Sequence, residues 1–560
     1  MQQFLSSSHL RRRSLLALAA TILGLTAAAH AISCTNATAH TPSEAEQAYL
    51  KADYDRAATL YQQQLTQKPN DPTLTAHLVE ILLRVQKPTE ADTLVHKAIA
   101  KYPNSATLDT TLGEVQYREG QPWLAGDSAI AALKLDPCYP RAHLLESILL
   151  EITSNHASSA RQIALAHTLD PYDPLIRLIW LNHQPLDQRI AGLQAYIAAD
   201  TGNGPDDLKN LKSQLEQLQE AASGQHKACS LVSKSDKASI PFADILRDAA
   251  HVRSYGLQVN FNDYPSVLQI DTASGGIVIS RTIAEHAGLK RLQETHISGI
   301  GDEASTAAYT AYAENIKIGS LEFHDCTVQV VDKGNVLGND GVIGSNVFSR
   351  FLVTLDYPGH KLLLGPLPKR PDDTAPLQSA LETSDSSNSD TSASNAPPAQ
   401  PNAAKPHPPA LQNRYIAPEM QDWTSVYRIG QNLIVPVSLN DTPLRLFILA
   451  TGSDTTTITP DAARQLTNVR LEEDLKVRGL SGNVAKVYVA DQITFKFANI
   501  SQINHNVSTF DTPGVSKNMG MEISGLIGIS ALGHMSISID YRDGLIKLIY
   551  DSNRDWKYPK

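Results

Sequence analysis

The 560 residues carry 58 acidic and 48 basic side chains, and the resulting net charge of −10 offers no basic surface for nucleic acid, so no nucleic-acid partner is expected. A hydrophobic share of 42% and a charged share of 19% suit a soluble chain, while the length exceeds what one core covers and predicts two to four domains. Beyond the N-terminus no stretch is apolar enough to span a bilayer.

Arg11, Arg12 and Arg13 precede the run SLLALAATILGLTAAA and then Ala29-His30-Ala31. A basic flank, a short apolar run and a small-x-small site predict a secretory signal peptide over residues 1–31, and with it export to a periplasm or cell envelope. Two refinements stay open: the arginines loosely fit a twin-arginine signal, and Ala31-Ile32-Ser33-Cys34 loosely fits a lipoprotein site with Cys34 as lipid acceptor, the one expected route to a membrane. The other cysteines are Cys138, Cys229 and Cys326, with no CxxC pair. With Cys34 removed or lipidated three remain, so neither disulfides nor cysteine chemistry is expected.

Pro69, Pro103, Pro137 and Pro171 stand 34 residues apart, each in a turn that follows an apolar helical pattern. Small residues keep the same period: Ala57, Ala91 and Ala125, then Ala98, Ala132 and Ala166. This period predicts an α-solenoid of helix pairs over residues 42–222. The third unit, with Leu112-Gly113, Tyr117, Ala125 and Ala132, most closely resembles the tetratricopeptide repeat family, which implies a surface for a peptide or protein partner. In 206–220 a stripe of Leu208, Leu211, Leu215 and Leu218 predicts a terminal helix covering the last repeat.

Residues 371–415, rich in Ser, Pro, Ala and Asn, read as a disordered linker. On either side of it the strand patterns correspond, over 240–368 and 420–553. LQVNFNDYPSVLQIDTASGGIVIS is matched by LIVPVSLNDTPLRLFILATGSDTTTIT, each a strand, an Asn-Asp turn, a strand, a short loop and a strand. Glycine-marked hairpin tips follow, with Gly299 and Gly301 in the first unit and Gly479 and Gly482 in the second. Then DGVIGSNVFSRFLVTLDY matches SGLIGISALGHMSISIDY, with Gly344 to Asp356 and Gly528 to Asp540 both spanning 12 residues. The second half is one domain written twice.

This ordered set, an apolar strand into Asp-Thr-Ala-Ser, a glycine-bearing flap and an apolar-Gly strand, resembles the retropepsin-like aspartic proteases. The resemblance implies a multidomain chain: an α-solenoid followed by two all-β retropepsin-like acid-protease domains, needing no cofactor or metal. It also implies that Asp271 is the catalytic acid, that Thr272 braces the paired loops, and that Ala273 stands where the family has glycine. The second unit keeps Thr451 and Gly452 but has Ala450 at the acid position. Hydrolysis by this route uses two adjacent carboxylates that share a proton. The expected function is therefore an exported aspartic-type endopeptidase, acting on polypeptide through Asp271 and a second Asp271 from another chain in a homodimer. The alternative is an inactive pseudoprotease that binds peptides or proteins by strand addition.

Overall fold

The computed structural model describes residues 34–199, 204–224, 229–248, 251–301, 305–332, 340–371 and 411–553. The expected signal peptide lies outside them, as does most of the expected linker.

Eleven helices, from Glu44–Leu50 to Pro205–Ser223, precede the first strand among the described residues. The helices that end at Gln67, Lys101, Leu135 and Leu169 stop two residues short of the four periodic prolines, and the next helix of each pair opens on a cap or a proline. Asp71 accepts from the Leu74 amide, Ser105 from Leu108, and Asp173 from Leu175 and Ile176. All six periodic alanines are fully buried, where the helices of neighbouring repeats approach closely. Gly113 is needed for the same reason, since a Cβ there would lie 2.6 Å from Leu145 Cδ2. The leucine-striped helix Pro205–Ser223 packs against Leu186–Ala199, as expected of a terminal cover.

The two β-domains share a topology. In the first, strand Gly341–Gly344 runs parallel to Tyr264–Asp271 and antiparallel to Ile277–Ser280, wedged between them. In the second, Gly525–Ile527 is wedged in the same way between Arg445–Leu449 and Thr457–Ile458. Each sheet then closes on itself: Leu321–Val331 pairs with both Ile277–Ser280 and Thr306–Ile318, and Tyr488–Phe497 pairs with both Ile500–Thr509 and Asn432–Leu439. Both Asn-Asp turns adopt positive φ at both residues, 44° and 69° at Asn262-Asp263 and 47° and 60° at Asn440-Asp441, the hairpin geometry these residues tolerate.

A third sheet fuses the domains. Its six strands run Thr424–Ser425, Leu545–Tyr550, Met535–Asp540, Leu352–Asp356, Lys361–Gly365 and Ala238–Pro241. The join pairs Val353 with Ile539 and Leu355 with Ile537. The two domains are therefore one body, tied by backbone hydrogen bonds.

Three expectations need correcting here. The linker does not run to 415: Asn413 Nδ2 donates to Ser158 Oγ at 2.9 Å, Arg414 Nε to the Asp543 carbonyl at 2.7 Å and the Tyr415 amide to Asp543 Oδ1 at 2.8 Å. Arg370 donates to both Gln412 and Asp543, so the two ends of the intervening segment are held together. Second, disulfides are present. Cys229 and Cys326 are bonded across 97 residues, and strand Ser230–Leu231 beside Cys229 pairs with Leu321–Val331, so the first β-domain begins before residue 240. Third, no free cysteine remains among the described residues, where the sequence had left an odd number. Cysteine spacing missed this because sheet topology, not sequence proximity, brings Cys229 and Cys326 together.

The solenoid leans on the second β-domain. Tyr117, Trp123, Leu149 and Ile152 join Leu446, Ile448, Met521 and Ile523 in one apolar cluster, and the Glu522 amide donates to the Arg118 carbonyl at 2.9 Å.

Candidate active site

Strand Tyr264–Asp271 ends at the candidate acid, and the wedged strand brings Gly344 level with it. Both wedges need glycine at their ends: a Cβ on Gly344 would lie 2.2 Å from the Ser274 carbonyl, and one on Gly528 would lie 2.3 Å from the Thr455 carbonyl. The duplicated spacing to Asp356 and Asp540 thus marks the two places where a strand must pass under its own loop.

The two loops pair within one chain. Thr272 Oγ1 donates to the Leu449 carbonyl at 2.6 Å and accepts from the Thr451 amide at 3.2 Å. Thr451 Oγ1 accepts from the Thr272 amide at 3.1 Å and donates to the Ile270 carbonyl at 3.4 Å. Both threonines are buried, so these bonds carry the full penalty of any broken partner. The two threonines thus tie the loops to each other reciprocally. Within one chain, the place facing Asp271, where a second Asp271 was expected, is taken by the Ala450 loop.

Asp271 is held from both domains. Its Oδ1 accepts from the Ala273 amide and, across the interface, from the Gly452 amide, both at 2.9 Å, and its Oδ2 accepts from Ser274 Oγ at 2.8 Å. Gln269, two residues upstream and buried, donates to the Gly452 carbonyl at 2.9 Å and fixes the facing loop. Opposite stands the methyl of Ala450, in an apolar cluster that also takes in Ala273, Ile300 and Ile448. Ser453, the counterpart of Ser274, has no carboxylate to serve and donates to the Thr455 carbonyl at 3.0 Å.

Two hairpin tips roof the cleft. The second domain supplies Val477–Gly479 and Gly482–Val484, with Leu480 and Ser481 at the turn. The first supplies the tip after Lys290–Ile297, where the Gly299 amide donates to Ser481 Oγ at 2.8 Å and the Ser481 amide to the Ile300 carbonyl at 3.0 Å. Gly301 has φ 138° and lies so close that a Cβ would sit 2.2 Å from the Ser481 carbonyl oxygen. Gly299 and Gly301 both lie where the two tips meet. Beneath lies a cleft of about 1170 Å³ lined by both domains, with Asp271 and Ala450 in its wall. Its charged lining residues are Arg253, Lys476 and Arg478 against Asp271 and Asp454.

Sequence reasoning missed Ser274, Gln269 and Ser481. Ser274 and Ser453 occupy matching places in the duplicated loops, and that match was the available signal. It also missed the buried tyrosines that end the duplicated strands. Burial pushes the phenols of Tyr357 and Tyr541 well up, so both stay neutral, and Tyr541 hydrogen-bonds Ser345 beside the first wedge.

The family comparison agrees with the duplication. An aspartyl protease family model matches residues 257–347 and again 435–531, once for each loop-bearing domain. Among solved structures, an aspartic proteinase from Irpex lacteus matches at 11% identity over 56% of this chain and 98% of its own, with a TM-score of 0.32. A thermophilic TPR protein from Thermus thermophilus matches at 20% identity over 31% of this chain and 95% of its own, with a TM-score of 0.26. No curated protein matches the sequence. The chain carries two β-domains, each matched by an aspartyl protease family model, behind a solenoid of paired helices.

Proposed function

We propose that this chain is an exported peptidase-type protein that lays an extended polypeptide across the cleft under its two hairpins and acts on it through Asp271. The observation that carries this reading is the Asp271 carboxylate itself, held by donors from both domains in the wall of a two-domain cleft. In this mechanism Asp271 takes a proton from a water whose oxygen adds to the scissile carbonyl carbon. It returns that proton to the leaving amine as the C–N bond breaks. Among the described residues no second carboxylate stands opposite to protonate the carbonyl oxygen, a contribution worth roughly 10²–10⁴-fold, so slow turnover is expected.

Ala450 favours a second reading, capture of an extended segment by strand addition without hydrolysis. Cleavage of unfolded casein across pH 3–7, by the mature protein and by Asp271→Asn, separates the two. Slow cleavage abolished in the variant supports the peptidase. Peptide binding with no cleavage in either protein supports capture. Export is supported by the basic, apolar and small-residue order of the N-terminus and by oxidised cysteines, which persist outside reducing compartments. The solenoid is the proposed surface for a protein partner.

A further inference from the structure

We infer that Ala273 and Ala450 are a complementary steric pair: the methyl of Ala273 stands where a carboxyl group at position 450 would have to go, so the second acid is excluded by two residues and not one. This deepens the reading of the cleft proposed above and rests on it.

The argument begins with Gly452. A Cβ there would lie 2.5 Å from Asp271 Cγ and 2.6 Å from Oδ2, so any side chain at 452 would collide with the carboxylate it faces. Backbone conformation is not the reason for glycine at this position, because neither Gly452 nor Ala273 has a positive φ. The reason is the acid across the interface. The two loops are related by the duplication, with Asp271, Thr272 and Ala273 matching Ala450, Thr451 and Gly452, and the reciprocal threonine bonds show that the relation holds in space. Exchanging the loops puts the residue at 273 against the side chain at 450 in the same close approach. An aspartate at 450 would demand glycine at 273. With alanine at 450 the approach admits a methyl, and Ala273 fills it as part of the same apolar cluster.

The donors follow the same pattern. The Ala273 and Gly452 amides both go to Asp271 Oδ1, and Ser453 turns away to the Thr455 carbonyl, so these three donors are already engaged and none serves a carboxylate at 450. The asymmetry is built into both loops.

The test uses four full-length proteins: wild type, Ala273→Gly, Ala450→Asp and the double variant. Each is measured by thermal unfolding and by peptide cleavage across pH 3–7. Ala273→Gly unfolds close to wild type. Ala450→Asp loses several degrees in Tm and gains little activity. The double variant recovers most of that loss and cleaves roughly 10²–10⁴-fold faster than wild type, a gain removed by adding Asp271→Asn. If Ala450→Asp alone matches the double variant in Tm and rate, the steric pair is refuted while the cleft remains a peptidase cleft. If the Tm coupling is present but the double variant cleaves nothing, the pair stands and the peptidase reading fails.

Discussion

The two β-domains have the same strand order and opposite occupations. The first presents a carboxylate; the second presents amides and a methyl to it. Where the first has Gln269 on the outer face of its loop strand, buried against the facing loop, the second has Ile448, joined with Leu446 to the solenoid's apolar cluster. The first is stapled by Cys229–Cys326, while the second shares its surface with the helices. The difference teaches how a duplicated unit diverges without losing its fold. The reciprocal threonine bonds that pair the loops are kept, while the residues around them differ.

The pairing itself is where the comparison can be broken with the largest effect. Thr272 holds the shorter bond, 2.6 Å to Leu449 against 3.4 Å from Thr451 to Ile270. Thr272→Ala leaves a buried carbonyl and a buried amide unmet and is expected to cost about 3 kcal/mol, whereas Thr451→Ala is expected to cost about 1–2 kcal/mol. Urea unfolding of both variants checks the order. Equal costs would mean that the loops share the load evenly and that the second domain is more than a support.

Much of this was legible in the sequence because it is periodic. The 34-residue recurrence of proline and alanine is a packing requirement repeated at each helix contact, so it appears as a pattern. The equal Gly344-to-Asp356 and Gly528-to-Asp540 spacings are likewise a requirement met twice. What stayed hidden depends on approaches between distant segments. Nothing near Gly452 in the sequence says that its hydrogen atom faces Asp271. Nothing near Cys229 names Cys326, and nothing in 411–415 says that it returns to the place Arg370 left.

Gly120 shows the same hidden logic at the solenoid seam. Ala52, Gln86, Gly120 and Ser154 recur every 34 residues with φ of 57°, 62°, 74° and 60°, so this turn tolerates side chains at left-handed φ and does not by itself require glycine. At Gly120 a Cβ would meet the second β-domain, 2.5 Å from the Glu522 carbonyl oxygen. Gly120→Ala is therefore expected to cost about 1–3 kcal/mol through displacement of the seam. The same change in the preceding repeat, Gln86→Ala, is expected to cost less than about 0.5 kcal/mol. Differential scanning calorimetry of the pair would show whether the seam, and not the turn, selects glycine.

The smallest expected effect is a pH dependence confined to that seam. Burial, with Asp92 and Glu522 adding to it, pushes the Glu119 carboxyl up to about 7, and burial also raises Glu522, against the opposing pull of Arg445. A carboxyl with a raised folded pKa binds its proton more tightly in the docked state. Its contribution is present in full below the ordinary glutamate value of 4.5 and is lost as pH rises through about 7. The solenoid should therefore dock more firmly at pH 5 than at pH 8. Hydrogen exchange at the Glu522 amide, which bonds the Arg118 carbonyl, reads this directly once corrected for intrinsic rate. Glu119→Gln should flatten the trend, while the loop-pairing amide of Thr272, with no raised carboxyl as its partner, should show none. A trend of equal size at both amides would place the titration in the body of the fold and remove the seam as its source.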